Sequence, residues 1–278
     1  MVDATFGAEA QRPVTDHDTH DEARHDTRDD TAIDMRAPLE FARIVVIGGG
    51  CYGSWYAQQL TRAARRGALI AREVVVVDRN PDCKVAAAFA RGEYDGLPLR
   101  HERAAWADYL AEWLAEGPER LAGDAMVPSP LMPHLCFDWL MTRARARWPE
   151  RTVRVAPVPR ETGMPWERSA PDARHYVSFA SWICPVNCIE PARCPATKGP
   201  RDWSMPPALA AYVAGEPSLR GPVIFHCLHR VYGVGMIDAG VIAQADADIA
   251  AWGADGPLAV LVGTVSHCHG ALGVLDIV

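Results

Sequence analysis

An α/β protein with a doubly wound, mostly parallel sheet and a Cys/Pro-rich insertion is predicted by three observations. Two apolar, β-branched runs, Ile44 to Ile47 and Val74 to Val77, flank a segment of helical character. Gly48, Gly50 and Gly53 follow the first run with G-x-G-x-x-G spacing. Strand-like and helix-like stretches then alternate as far as residue 156 and resume after residue 208.

The two runs show no alternation of apolar and polar residues, which is the pattern of strands buried on both faces of a parallel sheet. In the glycine turn the first glycine permits a tight bend, the second lets a pyrophosphate approach the backbone, and the third lets the next helix pack closely on the strand. From Ser54 the chain reads as a helix with Ala57, Leu60 and Ala64 on one side and Gly67 placed to end it. The free N–H groups at its start would face an anion. The second run ends in Asp78, whose carboxylate can accept hydrogen bonds from both hydroxyls of an adenosine ribose and would repel a 2′-phosphate. Asp78 lies 25 residues past Gly53, against a usual distance of about 20. The Ala/Arg-rich segment from Arg62 to Arg72 absorbs the excess.

Strand, glycines, helix, strand and terminal acid together resemble the dinucleotide-binding Rossmann superfamily over roughly residues 43 to 156. The resemblance implies an adenosine dinucleotide as ligand, NAD or alternatively FAD, with Gly48, Gly50, Cys51, Gly53 and Asp78 at the cofactor. S-adenosylmethionine methyltransferases share a glycine-rich turn and an acid after the second strand, so an adenosine-type ligand is implied more firmly than NAD. The turn is also similar to the NAD-binding regulatory domains attached to potassium transporters.

Composition narrows the function classes. Half of the 278 residues are apolar, enough for a substantial core. A net charge of −7 without clustered Lys and Arg argues against a nucleic-acid surface. No apolar run approaches the ~18 residues of a membrane helix, and a signal-peptide core is missing from the N-terminus, so a cytoplasmic protein is expected. Eight cysteines in such a protein point to metal binding or redox chemistry before structural disulfides.

Four regions are expected along the chain. Residues 1–38 carry DHDTHDEARHDTRDD and few large apolar side chains, and read as a disordered acidic tail in which His17, His20 and His25 are solvated. Residues 39–156 form the dinucleotide-binding half, with a helix from about His101 to Glu116, a strand at Asp124 to Val127, a helix from Pro133 to about Trp148 and a fourth strand at Thr152 to Val155. Residues 157–207 are an ordered insertion rich in Cys, Pro and Trp. Residues 208–278 complete the sheet, with a helix near Pro207 to Ala214, a strand at Val223 to Phe225, a helix from Ile237 to Ala251, a strand at Leu258 to Val265 and an edge strand at the end.

Chemistry concentrates in the last two regions. Cys184, Cys188 and Cys194 have C-x3-C-x5-C spacing, with Pro185 and Pro195 directly after the first and third cysteines. His226, Cys227 and His229 follow one expected strand, and His267, Cys268 and His269 follow another. In a parallel sheet these carboxyl ends share an edge with the glycine turn. Thiolates and imidazoles bind zinc or iron–sulfur clusters, so Cys184, Cys188, Cys194, His226, His267 and His269 are the expected metal ligands. The prolines resemble those of ferredoxin loops, although the spacing departs from both ferredoxin and zinc-ribbon patterns. His226 and His267 are also the expected general acid/base pair, because imidazole titrates near neutral pH. Cys51, at a helix N-terminus, is a candidate reactive thiol.

The function expected on these grounds is an NAD-binding redox protein with an iron–sulfur or other metal centre near the nucleotide, serving as an oxidoreductase with a redox partner protein. The alternatives are a non-catalytic nucleotide-sensing or accessory protein and a methyltransferase.

Overall fold

The computed structural model describes residues 37–184 and 188–278. The expected acidic tail, with its three histidines, lies outside the described residues but for residues 37 and 38. Residues Ala37–Val278 cluster as one compact unit.

The glycine-turn half forms as its sequence dictates. Strand β1 (Leu39–Ile47) leads through the turn to helix α1 (Cys51–Arg65), and β2 (Leu69–Val77) pairs in parallel with β1. Alternate side chains of the two strands enter different cores. Val45, Ile47, Val75 and Val77 face one side, and Ile44, Val46, Val74 and Val76 face the other, where Ala57 and Leu60 of α1 cover them. Burying each such side chain contributes roughly 1.5–3 kcal/mol, which is why the runs lack alternation. Helix α2 (Lys84–Ala90) packs on the α1 side, and β3 (Leu99–Glu102) adds in parallel to the outer edge of β2. The helix expected from His101 therefore starts later, as α3 (Trp106–Leu114). Its first five expected residues are divided between β3 and a loop, because the exposed edge of β2 offers Leu99 to Glu102 a complete parallel ladder.

Strand β4 (Ala125–Val127) pairs with β1, and α4 (Leu135–Arg147) follows. From here the structure corrects the expectation of one doubly wound sheet. Next to β4 the sheet continues with β10 (Val234–Asp238) and β9 (Leu228–Val231), both antiparallel to their neighbours, giving the order β3-β2-β1-β4-β10-β9. A second mixed sheet holds β6 (Trp166–Ser169), β7 (His175–Ser178), β12 (His269–Ile277), β11 (Leu258–Val265) and β8 (Arg220–His226), in that order. Strand β5 (Val153–Ala156), expected in the first sheet, pairs antiparallel with β12. The physical reason is the tight turn at Ser266 to Cys268: it folds β12 back along β11 over eight paired positions, and the resulting edge captures β5 and β7.

Helix α6 (Ala239–Trp252) lies with α3 and α4 between the two sheets, in the core shared by Val45 and Val75 of the first and Phe225, Val260 and Leu275 of the second. Asp246 of α6 ties this layer together by accepting from Arg143 Nε at 3.0 Å and Arg147 Nη2 at 2.9 Å. Helix α5 (Met205–Ala214), with two prolines in its first turn, covers the outer face of the second sheet. No helix among the described residues is long and apolar enough to cross a membrane.

Candidate functional site

The turn between β1 and α1 is built for close approach. Gly48 has φ +89°, a left-handed conformation that favours glycine. A Cβ on Gly53 would overlap the Gly48 carbonyl oxygen, whereas one on Gly50 would meet nothing within 4 Å. The third glycine is thus demanded by packing and the second leaves open space. Helix α1 has no side-chain cap and no acid in its first turn, so the backbone donors at its start remain available to an anion.

Asp78 stands where the sequence places it, but it already serves the turn. Its Oδ2 accepts the Gly49 N–H at 2.7 Å and its Oδ1 accepts the Asn80 N–H at 2.9 Å. Each carboxylate oxygen has two acceptor sites, so one on each is left for a ribose. Beside it, Arg79, Ala104, Trp106, Met132 and Leu135 line a cavity of about 310 Å³. The Trp106 indole N–H donates to Val77 O at 2.9 Å, and its ring lies against Gly48. Cys51 is exposed, with Lys84 Nζ 3.1 Å from its sulfur.

A second, larger cavity of about 500 Å³ lies between the ends of β4, β9 and β11, and its walls include Tyr56, Ser129, Glu190, Cys227, His229 and His269. Burial pushes the Tyr56 phenol up to about 12, so it stays protonated at neutral pH. The carboxyl ends of β8 and β11 do lie side by side, as parallel pairing requires, and this brings His226 and His267 together with ring centroids 4.7 Å apart in an edge-to-face arrangement. His267 Nδ1 is 2.9 Å from Ser204 Oγ, and His269 Nδ1 is 3.0 Å from Ser178 Oγ. His226 Nε2 is buried without a hydrogen-bond partner among the described residues.

At the centre is Glu190, which sequence reasoning did not single out. Its backbone is left-handed, at φ +52°, a conformation that a non-glycine residue holds only when its surroundings enforce it. Its carboxylate accepts the Ser266 hydroxyl at 2.5 Å, the His267 N–H at 2.8 Å and the Cys268 N–H at 3.0 Å. These donors hold it below the usual carboxylate range even though burial, the largest influence, acts in the opposite direction. Oε2 also lies 3.9 Å from His229 Nδ1. Burial lowers the His229 pKa and the Glu190 charge partly restores it, leaving the imidazole below its ordinary 6.5. His226, His267 and His269 are lowered as well, each chiefly by burial. Gly235 makes room for the group: a Cβ there would approach the Cys227 sulfur and the His229 ring. The one sequence signal for Glu190 was an acid placed between cysteines, in the segment CIEPARC.

Cys184, Cys188 and Cys194 do come together, with Cys268, around a single small cavity. Among the described residues, however, no three His, Cys, Asp or Glu side chains are arranged to hold a metal ion. The metal-binding and iron–sulfur assignment of Cys184, Cys188, Cys194, His226, His267 and His269 is corrected accordingly. The imidazole Nδ1 atoms of His267 and His269 are engaged by serine hydroxyls instead.

Residues 136–278 match the family described as AF_1314_C, Uncharacterized protein, C-terminal domain. The match spans just over half of the chain, and the chain belongs to that family. The chain is also similar to a ribosomal RNA small subunit methyltransferase A of Sinorhizobium fredii (strain NBRC 101917 / NGR234), with 36% identity over 113 residues, covering 40% of this chain and 33% of that protein. The chain thus matches about a third of the length of that relative. No solved structure matches the chain. The similarity to a methyltransferase overturns the oxidoreductase assignment.

Proposed function

We propose that the chain binds an adenosine-containing cofactor, S-adenosylmethionine, at the glycine turn and directs methyl transfer to an acceptor held in the larger cavity. The observation that carries this reading is the turn itself: open space at Gly50, uncapped donors at the start of α1, and Asp78 with free acceptor sites next to a cavity of about 310 Å³. The similarity to a methyltransferase supports S-adenosylmethionine over a dinucleotide.

The fit is chemical as well as steric. Apolar walls from Trp106, Met132 and Leu135 suit a planar base, and the Asp78 carboxylate, one residue before the lining Arg79, suits ribose hydroxyls. S-adenosylmethionine, when bound, supplies an electrophilic methyl group. The chain's own contribution is a base. With Glu190 fixed by three donors, its charge 3.9 Å from Nδ1 of His229 favours the tautomer with the proton on Nδ1, which leaves Nε2 as the acceptor. The lowered pKa keeps that imidazole neutral at pH 7, so it can take a proton from an acceptor N–H or O–H. Tyr56, protonated, is available to orient the acceptor.

A cavity of about 500 Å³ accommodates a small molecule or a single base swung out of a strand. Because the relative's name specifies ribosomal RNA, RNA belongs among the acceptors to be tried, despite the net charge of −7.

Isothermal titration with S-adenosylmethionine, S-adenosylhomocysteine and NAD tests the reading. The two sulfur nucleosides are expected to bind, and Asp78→Ala is expected to weaken them about tenfold or more, the loss of hydrogen bonds to a charged group. Binding of NAD alone, or equal affinity in Asp78→Ala, would overturn it.

A further inference from the structure

Cys184, Cys188, Cys194 and Cys268 line a cavity of about 10 Å³, the space of one water-sized probe. Cys184, Cys188, Glu190 and Cys268 line this small cavity and the larger one alike, whereas the buried Cys194 lines the small one. Neighbouring donors engage these sulfurs. Cys188 accepts the Glu190 N–H at 3.4 Å, and Cys268 accepts the Trp203 indole N–H at 3.2 Å. Burial also pushes the Cys268 thiol up to about 12, which keeps it protonated. Cys194 differs: the Thr197 N–H, foremost among its neighbours, lowers its pKa and favours the thiolate. Cys184 is partly exposed and close enough to feel the charges of Cys188 and Cys194.

We propose that Cys194 and Cys184 form a peroxide-responsive thiol pair, closing a disulfide across the segment that carries Glu190. This inference does not rest on the methyl-transfer reading. The thiolate of Cys194 attacks one oxygen of the peroxide and the O–O bond breaks, leaving Cys194 as a sulfenic acid while the departing hydroxide takes a proton to become water. The sulfur of Cys184 then attacks that of Cys194, a second water leaves, and the disulfide forms. In sum two thiols are oxidised and one peroxide is reduced to two waters. The new bond would tie the backbone on both sides of Glu190, whose carboxylate holds the β11–β12 turn.

The test uses the full chain, reduced, desalted, treated with hydrogen peroxide, and alkylated before peptide mass mapping. A Cys184–Cys194 cross-link is expected as the main product. Cys184→Ser should lose the cross-link and accumulate a dimedone adduct on Cys194, and Cys194→Ser should lose both. If Cys194→Ser fails to fold, the site of the adduct in Cys184→Ser still decides. A dimedone adduct on Cys51 or Cys188 in place of Cys194, or a cross-link between other cysteines, would overturn the proposal. So would thiols that stay inert to peroxide until a chelator is added, since the sulfurs would then be masked by an ion.

Discussion

The glycine turn and the histidine chamber are assembled by opposite means. The hydrogen bonds that shape the turn join residues closer in the chain: Gly48 packs against Gly53, and the Gly49 N–H on Asp78 and the Trp106 indole on Val77 each span 29 positions. The chamber is closed by partners far apart in the chain. Glu190 reaches residues 76 to 78 positions away, Ser204 meets His267 across 63 and Ser178 meets His269 across 91. A locally encoded site tolerates little change in backbone geometry, whereas one closed over long separations depends on a few buried polar groups.

The largest effect should come from Gly53→Ala. Its methyl would overlap a backbone carbonyl, Gly48 O, which cannot turn aside as a flexible side chain would. Overpacking of this kind costs about 3 kcal/mol. The variant is expected to melt well below the parent and to lose titratable cofactor binding. Unchanged binding would mean that the turn is not the cofactor site. The next largest should come from the other region: His229→Gln is expected to slow transfer about 100-fold, with cofactor affinity unchanged in the same titration. The parent's acid limb should lie below 6.5, because His229 must be neutral to act and burial holds its pKa down. Glu190→Gln removes the charge that raises that pKa, so the limb should move to still lower pH; a limb that stays in place would uncouple the two residues.

This contrast also explains what the sequence made legible. The runs at Ile44 and Val74, the glycines and Asp78 could be read because their meaning is local and periodic. His226 and His267 could be anticipated as neighbours because parallel strands align their carboxyl ends, and β8 and β11 do so. The second sheet was not legible. Nothing in residues 153–156 marks them for pairing with the last strand rather than the first sheet, since that choice depends on the edge created by the β11–β12 turn. Strand β3 was hidden because Leu99 to Glu102 is short and amphipathic and runs into a helical pattern. Glu190 was hidden because two of its three donors are backbone N–H groups, which every residue but proline offers. The cysteine spacing drew attention to the right segment and suggested the wrong chemistry: the thiols converge, but not as a metal site among the described residues.

Glu190→Gln should have a smaller effect on stability than Gly53→Ala, about 2 kcal/mol, as a buried carboxylate that accepts three hydrogen bonds becomes an amide with one fewer acceptor. The pH dependence has a definite sign. The folded-state pKa of Glu190 lies below its unfolded value near 4.5, so its contribution is full above that value and is lost as pH falls through the folded one. Chemical unfolding at neutral pH and again below pH 4.5 should show the parent losing more stability than Glu190→Gln. Equal losses would show that the carboxylate does not hold the turn.

The smallest effect should come from Arg100→Ala on the edge strand β3, and it isolates what makes Glu190 matter. Arg100 donates to Glu73 at 2.6 Å and also contacts Glu102, so it resembles Glu190 in having several charged hydrogen bonds. Distance therefore cannot separate the two cases; exposure does. The side chain of Arg100 is 44% exposed and that of Glu190 only 5%. Water and salt screen the exposed pairs, and holding a long side chain in place costs entropy, so the network is worth under about 1 kcal/mol. Unfolding in low and high salt should give a small difference from the parent that shrinks further as salt rises. A loss comparable to that of Glu190→Gln, independent of salt, would show that the β3 edge depends on its charges as the chamber does, and the contrast between the two regions would fail at that edge.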